Sequence, residues 1–295
     1  MENVSTRPAH LLVESQNLLG EGVQWNDADN RLYWTDIFGK ALWSCDEEGQ
    51  RVKRWPLAKK LCAFAFREQG PMLGAFADGL YNFDPEVGTM RLIKSYQEEF
   101  GGRTRMNDGH LDRAGRFLVG GIDEKGMQPI TPVWSVSRDK ITTVLEDVGC
   151  ANSISFSPDG RTLYFADSRS SEIRAHDYDP ENGSVGRSRS FARLSDKEGK
   201  PDGSCVDASG GVWNAQFGGG AVQRFNSDGA RSLRIEVAVP NVTCCAIGGK
   251  NLDRLFITTA RLGMSTQEQS RFTLAGGLFA CDIDWKGLKH GTYTG

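Results

Sequence analysis

Short runs of β-branched and aromatic residues recur along the chain, and most stand just behind a turn rich in Asp, Asn and Gly. The runs are RLYWTD (31–36), PMLGAF (71–76), RFLVGG (116–121), TLYFAD (162–167), GVWNAQ (211–216) and RLFITT (254–259). Their starts are 40, 45, 46, 49 and 43 residues apart, a period that matches a four-stranded propeller blade of ~40–50 residues. The preceding turns include NDADNR (26–31), DRAGR (112–116), SPDGR (157–161) and DASGG (207–211), where Asp or Asn near Gly suits tight hairpins that need positive φ. A third strand and a second turn follow, as in ALWSCDEEGQR, EIRAHDYDPENG and AVQRFNSDGAR. No apolar spacing of the i, i+3, i+4, i+7 kind persists for three turns, so helices are few. The pattern predicts an all-β chain, a six-bladed β-propeller with four antiparallel strands per blade, with residues 1–295 forming a single domain. The last unit, ending LFACDID (278–284), lacks an outer partner, whereas HLLVE (10–14) precedes the first unit as a spare strand. The N-terminal strand is therefore expected to close the last blade, removing two free edges at once.

Composition sharpens this picture. Glycine makes up 35 of 295 residues, about 12 % against the usual ~7 %, in keeping with frequent turns. Lys and Arg total 35 against 38 Asp and Glu, a net charge of −3. That lacks the basic excess that phosphate neutralisation requires, so nucleic acid is not an expected partner and the ligand is expected to be small. No uncharged apolar run approaches the ~18 residues that span a bilayer, so no membrane role is expected and the chain reads as soluble. The opening MENVSTRPAHLLVESQ has no apolar core of a secretory signal, and the seven cysteines are scattered without CxxC spacing. Buried thiols in a reducing compartment, the cytoplasm, are the expectation.

The innermost strands of a propeller line its central channel, so equivalent positions converge however far apart they lie in sequence. Counting back ten or eleven residues from the second residue of each run gives Glu21, Asn107, Asn152 and Asp202; the other two units offer Ala63 and Thr243 or Cys244. Asn or Asp before Gly is an ordinary turn former when taken singly. A carboxylate or carboxamide at an offset of ten or eleven in four units, at the starts of otherwise apolar strands, points to a shared site instead. Buried carboxylates are costly unless paired or bound to a cation, and no Lys is equally placed to neutralise Glu21 and Asp202. Oxygen donors without clustered His or Cys suit a hard divalent ion, Ca²⁺ first, with Mg²⁺, Mn²⁺, Fe²⁺ or Zn²⁺ as alternatives.

At these residues the chain resembles the SMP-30/gluconolactonase/LRE family, which includes regucalcin and bacterial sugar lactonases. The matching segments are LLGEGVQW (18–25), RMNDGHLDRAGRF (105–117), NSISFSPDGRTLYFAD (152–167), KPDGSCVDASGGVW (200–213) and VTCCAIGGKNLDRLFITTARLGMS (242–265). The resemblance implies a six-bladed propeller that binds one divalent metal ion and hydrolyses an aldonolactone, a pentono- or hexonolactone in oxidative sugar catabolism. Carried over, it gives Glu21, Asn152 and Asp202 as metal ligands and Asp202 as the catalytic acid/base. It gives Arg105, Asn107 and Glu124 as substrate-binding residues. The chain departs from the family pattern at Val23 in GEGV, at His110 in NDGH, which is expected to alter substrate preference, and at Ser153 after Asn152.

Other chemistries are short of parts. GxSxG and HExxH are absent, FGGGAV (217–222) fails the GxGxxG spacing, and DYDPENG (177–183) reads as a hairpin rather than a calcium loop. Cys244 and Cys245 lack an electropositive neighbour in sequence and read as buried strand residues. Two alternatives stay open beside the lactonase: a broader esterase on the same fold, and a non-catalytic calcium-binding propeller. No protein partner is implied. The segment IDEKGMQPITPVW (122–134) is expected to overhang the channel mouth.

Overall fold

A computed structural model describes residues 4–138 and 140–295, so the first three residues of the opening segment lie outside the described residues. The strands described fall into six sheets. In blade one, Gly20–Asn26, Arg31–Asp36, Ala41–Cys45 and Lys53–Pro56 are hydrogen-bonded in that order by successive antiparallel pairings. The same in-to-out succession repeats in the other blades. Their innermost strands are Leu61–Ala65, Thr104–Leu111, Ala151–Phe156, Lys200–Val206 and Val242–Gly248. The innermost strand of blade six packs against that of blade one, which completes the ring.

Stacking of blades explains why the recurrent runs are apolar throughout rather than alternating. Second strands are covered on both faces by neighbouring blades; all seven residues of Phe117–Asp123 are buried, as are four of five in Met72–Phe76. Outermost strands such as Thr89–Ser95 are mostly exposed and carry the polar residues. The helices described are short, Gln97–Phe100 and Thr266–Arg271.

Closure follows the expectation. His10–Val13 pairs antiparallel with Leu278–Asp282 as the outermost strand of blade six. One pairing was not anticipated: Ser5–Pro8 adds in parallel to Arg231–Glu236 as a fifth strand of blade five, where the Arg7 guanidinium meets Asp284.

Two features place the site. First, the second strands of blades one, three and four each end in an Asp that folds the loops at one end of the channel, the mouth. Asp36 accepts from Leu18 N (3.0 Å), Leu19 N (3.0 Å) and Gly39 N (2.8 Å), and Asp167 from Gly149 N (2.9 Å) and Cys150 N (3.2 Å). Second, all six innermost strands slip register near the mouth: between Glu21 and Gln24, Leu61 and Ala63, Met106 and Gly109, Asn152 and Ser155, Pro201 and Ser204, and Val242 and Cys244. In the four blades that carry the sequence-predicted polar residues, two residues of the inner strand face one of its partner. These are β-bulges, which break the alternation of side chains and re-aim them.

The opposite end is crossed by residues 283–295. Lys286 O accepts from Ala208 N (2.8 Å), His290 N donates to Asp27 Oδ2 (3.2 Å), Tyr293 N to Phe66 O (2.7 Å) and Thr294 N to Gly115 O (3.2 Å). This segment ties blades five, one, two and three together and leaves a chamber of about 160 Å³ between itself and the bulges. Among the described residues, no helix is long and apolar enough to cross a membrane.

Because His10–Val13 covers the edge of Leu278–Asp282, deleting residues 1–13 is expected to lower the thermal midpoint by more than about 5 °C and to expose an edge that promotes self-association. Calorimetry and light scattering check this; an unchanged midpoint would show that closure does not hold the ring.

Candidate active site

Arg105 enters the channel near the start of blade three's inner strand and is 4 % exposed. A chain of hydrogen bonds runs from it across three blades. Arg105 Nε donates to Glu124 Oε1 (3.1 Å), and Arg105 Nη1 donates to Asn107 Oδ1 (2.6 Å) and Met106 O (2.9 Å). Asn107 Nδ2 donates to Asn152 Oδ1 (3.1 Å) and Ala151 O (2.9 Å). Asn152 Nδ2 donates to Ser168 Oγ (2.8 Å), whose hydroxyl donates to Pro201 O (2.7 Å). Ser168 thereby fixes the amide of Asn152 with Oδ1 turned towards Asn107. Both amide protons of Asn107 are engaged, which leaves its Oδ1 as the atom able to accept from a ligand hydroxyl.

Beside this chain stand three carboxylates. Burial pushes Glu21 up to about 8, helped by the charge of Asp108 and opposed by the Gly22 N–H and Arg105. Burial also raises Asp202 well above the usual carboxylate range, with Glu21 and then Asp108 adding to it. Asp108 is raised to about 6 by burial against hydrogen bonds from the Ile154 and Gly109 amides; the Ile154 bond is 2.9 Å to Oδ2. Three acids that each disfavour the others' ionisation are what a bound cation would relieve.

Of the sequence-predicted residues, Arg105, Asn107, Glu124 and Asn152 are joined by direct contact, and Glu21 and Asp202 are within electrostatic reach of each other and of Arg105. Asp108 and Ser168 were missed. Asp108 follows Asn107 directly, and a regular strand would turn one of the two away from the channel; the bulge turns both in. Ser168 follows the recurrent TLYFAD run, and that adjacency was the available signal. Among the described residues, no three or more His, Cys, Asp or Glu side chains surround one metal-sized point. The predicted ligand set is two carboxylates and an amide oxygen, so it does not depend on such a cluster. The donor chemistry fits a hard divalent ion: oxygen only, net negative, and strained by mutual repulsion.

His110 requires a correction. It lies not at the mouth but in the chamber at the other end, its Nδ1 2.9 Å from Leu111 O and its ring centroid 5.6 Å from that of His290. Burial lowers its pKa, so it is a neutral imidazole far from the rim that would set substrate preference. Ser153 stands in the left-handed region (φ 58°), where glycine would be unstrained. Its hydroxyl offsets this by donating to Asp202 O (2.7 Å) while accepting from Asn214 Nδ2 (3.0 Å), which ties the bulges of blades four and five. Gly203 is fixed by space: an added Cβ would lie 2.6 Å from Cys244 Sγ. Burial holds the Cys244 thiol well above its ordinary range, so it is not a nucleophile.

Residues 19–261 match the SMP-30/Gluconolactonase/LRE-like region. The chain belongs to this family. Among its relatives, the L-arabinolactonase of Azospirillum brasilense is 39 % identical over 293 residues, covering 97 % of this chain and 96 % of that one. The 6-deoxy-6-sulfogluconolactonase of Pseudomonas putida is 31 % identical, covering 96 % and 98 %. Among solved structures, a calcium-binding protein, regucalcin, from Agrobacterium tumefaciens superposes with a TM-score of 0.93 at 30 % identity, covering 99 % of both chains. The family resemblance read from GEG, NDG, SPDG and PDG therefore holds over nearly the whole chain.

The raised carboxyl of Glu21 sets a pH dependence in chelator-treated protein. In the fold it keeps its proton up to about 8, whereas in the unfolded chain it loses it near 4.5. The folded state then binds the extra proton, so stability falls as pH rises through that window. Glu21→Gln is expected to flatten the fall, giving a higher urea midpoint than the parent at pH 8.5; equal slopes in both proteins would contradict the assignment.

Proposed function

We propose that the protein is a lactonase that hydrolyses a sugar aldonolactone to the aldonic acid with the help of one divalent cation. The observation that carries this reading is that Glu21 and Asp202, both raised by burial, lie within electrostatic reach of each other and of the Arg105–Asn107–Asn152 chain, with Asp108 adding its charge. The names of the relatives, an arabinolactonase and a sulfogluconolactonase, support the substrate class.

In this reading Glu21, Asn152 and Asp202 would hold the cation. A cation bound there supplies Lewis-acid polarisation of the lactone carbonyl and favours the ionised form of the surrounding carboxylates. Asp202 in its ionised form takes a proton from the attacking water as the new C–O bond forms at the carbonyl carbon. It returns that proton to the ring oxygen as the ester C–O bond breaks. Arg105 offers N–H donors, and Asn107 Oδ1 an acceptor, to the lactone hydroxyls, while Glu124 keeps the guanidinium in plane and accepts from a further hydroxyl. The acid product ionises in water and releases one proton per turnover. Calcium is the cation we place first, in line with the calcium-binding regucalcin structure, and the cytoplasm is the compartment that the unpaired thiols favour.

Proton release from a panel of aldonolactones, after chelator stripping and with Ca²⁺, Mg²⁺, Mn²⁺, Fe²⁺ or Zn²⁺ restored singly, tests the reading. Turnover should vanish on stripping and return with a divalent ion. Asp202→Asn should cut kcat by at least about 10³-fold, a loss of ~4 kcal/mol of transition-state stabilisation. Binding of a divalent ion without hydrolysis of any lactone would instead favour a calcium-binding scaffold.

A further inference from the structure

At the mouth, Arg105 is not the only cation on Glu124. Lys60 Nζ, from the residue just before blade two's inner strand, lies 3.5 Å from Glu124 Oε1, the oxygen that already accepts from Arg105 Nε at 3.1 Å. The same Nζ stands 4.2 Å from the ring centroid of Phe38, and Arg105 Cζ stands 5.7 Å from that ring. Phe38 belongs to the loop between the second and third strands of blade one, so three blades contribute to one cluster. The side chain of Lys60 is 28 % exposed where that of Arg105 is 5 %, so Lys60 is the outer member, one step nearer solvent.

The arrangement is more than a surface ion pair. An ammonium serving Glu124 alone would close on it as Arg105 does; this one is drawn over an aromatic face instead. Two cations share one carboxylate, so Glu124 cannot neutralise both, and Arg105 also faces the acids beneath. An ammonium has three N–H donors, and Glu124 takes at most one of them here. A ring face beside a donor-rich ammonium is complementary to a short chain with C–H on one side and oxygens on the other.

We infer that Lys60 and Phe38 form a subsite for the exocyclic arm of the lactone and make the enzyme prefer lactones that carry one. This rests on the lactonase reading. With the carbonyl turned towards Glu21, Asn152 and Asp202, and the ring hydroxyls on Arg105 and Asn107, the arm is the part that reaches the outer layer. Phe38 covers its C–H face and Lys60 donates to its oxygens. An arm ending in an anionic group would be held more strongly still, because Lys60 shares the Glu124 carboxylate with Arg105.

The test compares a tetrono-1,4-lactone, which has no exocyclic carbon, with pentono- and hexono-1,4-lactones, whose arms have one and two. Lys60→Met should raise KM about tenfold for the two lactones with arms and less than about twofold for the tetronolactone, with kcat changing less than KM. Lys60→Arg, which keeps charge and donors, should recover most of the loss. An equal rise on all three substrates would mean that Lys60 acts only through Glu124, and no rise on any would mean that the arm does not reach it; either overturns the inference. If the parent protein hydrolyses no lactone, the lactonase reading itself fails, an outcome distinct from a working lactonase indifferent to Lys60.

Discussion

The site depends on a backbone irregularity repeated around the ring. A regular inner strand would present every second residue to the channel and bury the rest between blades. Each inner strand instead slips register near the mouth, and in blades one, three, four and five two residues oppose one. The slip lets consecutive residues such as Asn107 and Asp108 act in the channel together. The bulges also hold one another. Asp108 Oδ2 accepts from Ile154 N in the bulge of blade four (2.9 Å), and Ser153 Oγ donates to the carbonyl of Asp202 in the bulge of blade five (2.7 Å). Asn214 then spans the same carbonyl and the hydroxyls of Ser153 and Ser204, each at 3.0 Å. Moving one polar residue of the site would therefore require two blades to shift.

This coupling supports an unfavourable electrostatic arrangement. Three carboxylates in a low-dielectric channel repel one another, and burial pushes each towards its protonated form, as the upward shifts of Glu21, Asp108 and Asp202 indicate. A flexible scaffold would relax by turning them outward. Here the interblade hydrogen bonds oppose that, and the repulsion is one that a bound cation would relieve. Arg105 offsets part of the charge through space: its Nε and Nη1 donors are committed to Glu124, Asn107 and Met106 O, which leaves Nη2 for a ligand.

The architecture was legible because blade period and turn chemistry are local. Six apolar runs behind hairpin turns specify six equivalent strands, and offsets of ten or eleven from four of them single out Glu21, Asn107, Asn152 and Asp202 as candidates. Closure by His10–Val13 followed from counting an unpaired edge at each end of the chain. What local reading cannot supply is where a strand departs from its period. Asp108 was hidden for that reason, since alternation assigns it away from Asn107. The role of Lys60 was hidden because its partners, Phe38 and Glu124, come from other blades. His110 was misplaced for a related reason: two residues past the bulge, the strand has already carried it towards the far end, beside His290.

A division of labour follows from these positions. The polar residues of the inner strands are locked by interblade bonds, so they are poorly suited to adapting to different substrates. The rim residues are not: Phe38, Lys60 and Glu124 sit in loops or at strand ends, and their side chains are partly exposed. The far end is crossed by residues 283–295, which tie four blades together there, whereas the rim at the mouth carries no such crossing segment among the described residues. On the proposed reading a substrate would meet Lys60 and Phe38 before Asp202, and changes at the rim would select among ligands without disturbing the cluster beneath. A substitution in the inner strands has no such freedom. At Gly203 even a methyl group would press on the neighbouring blade, which ties the chemistry of the channel to the integrity of the ring.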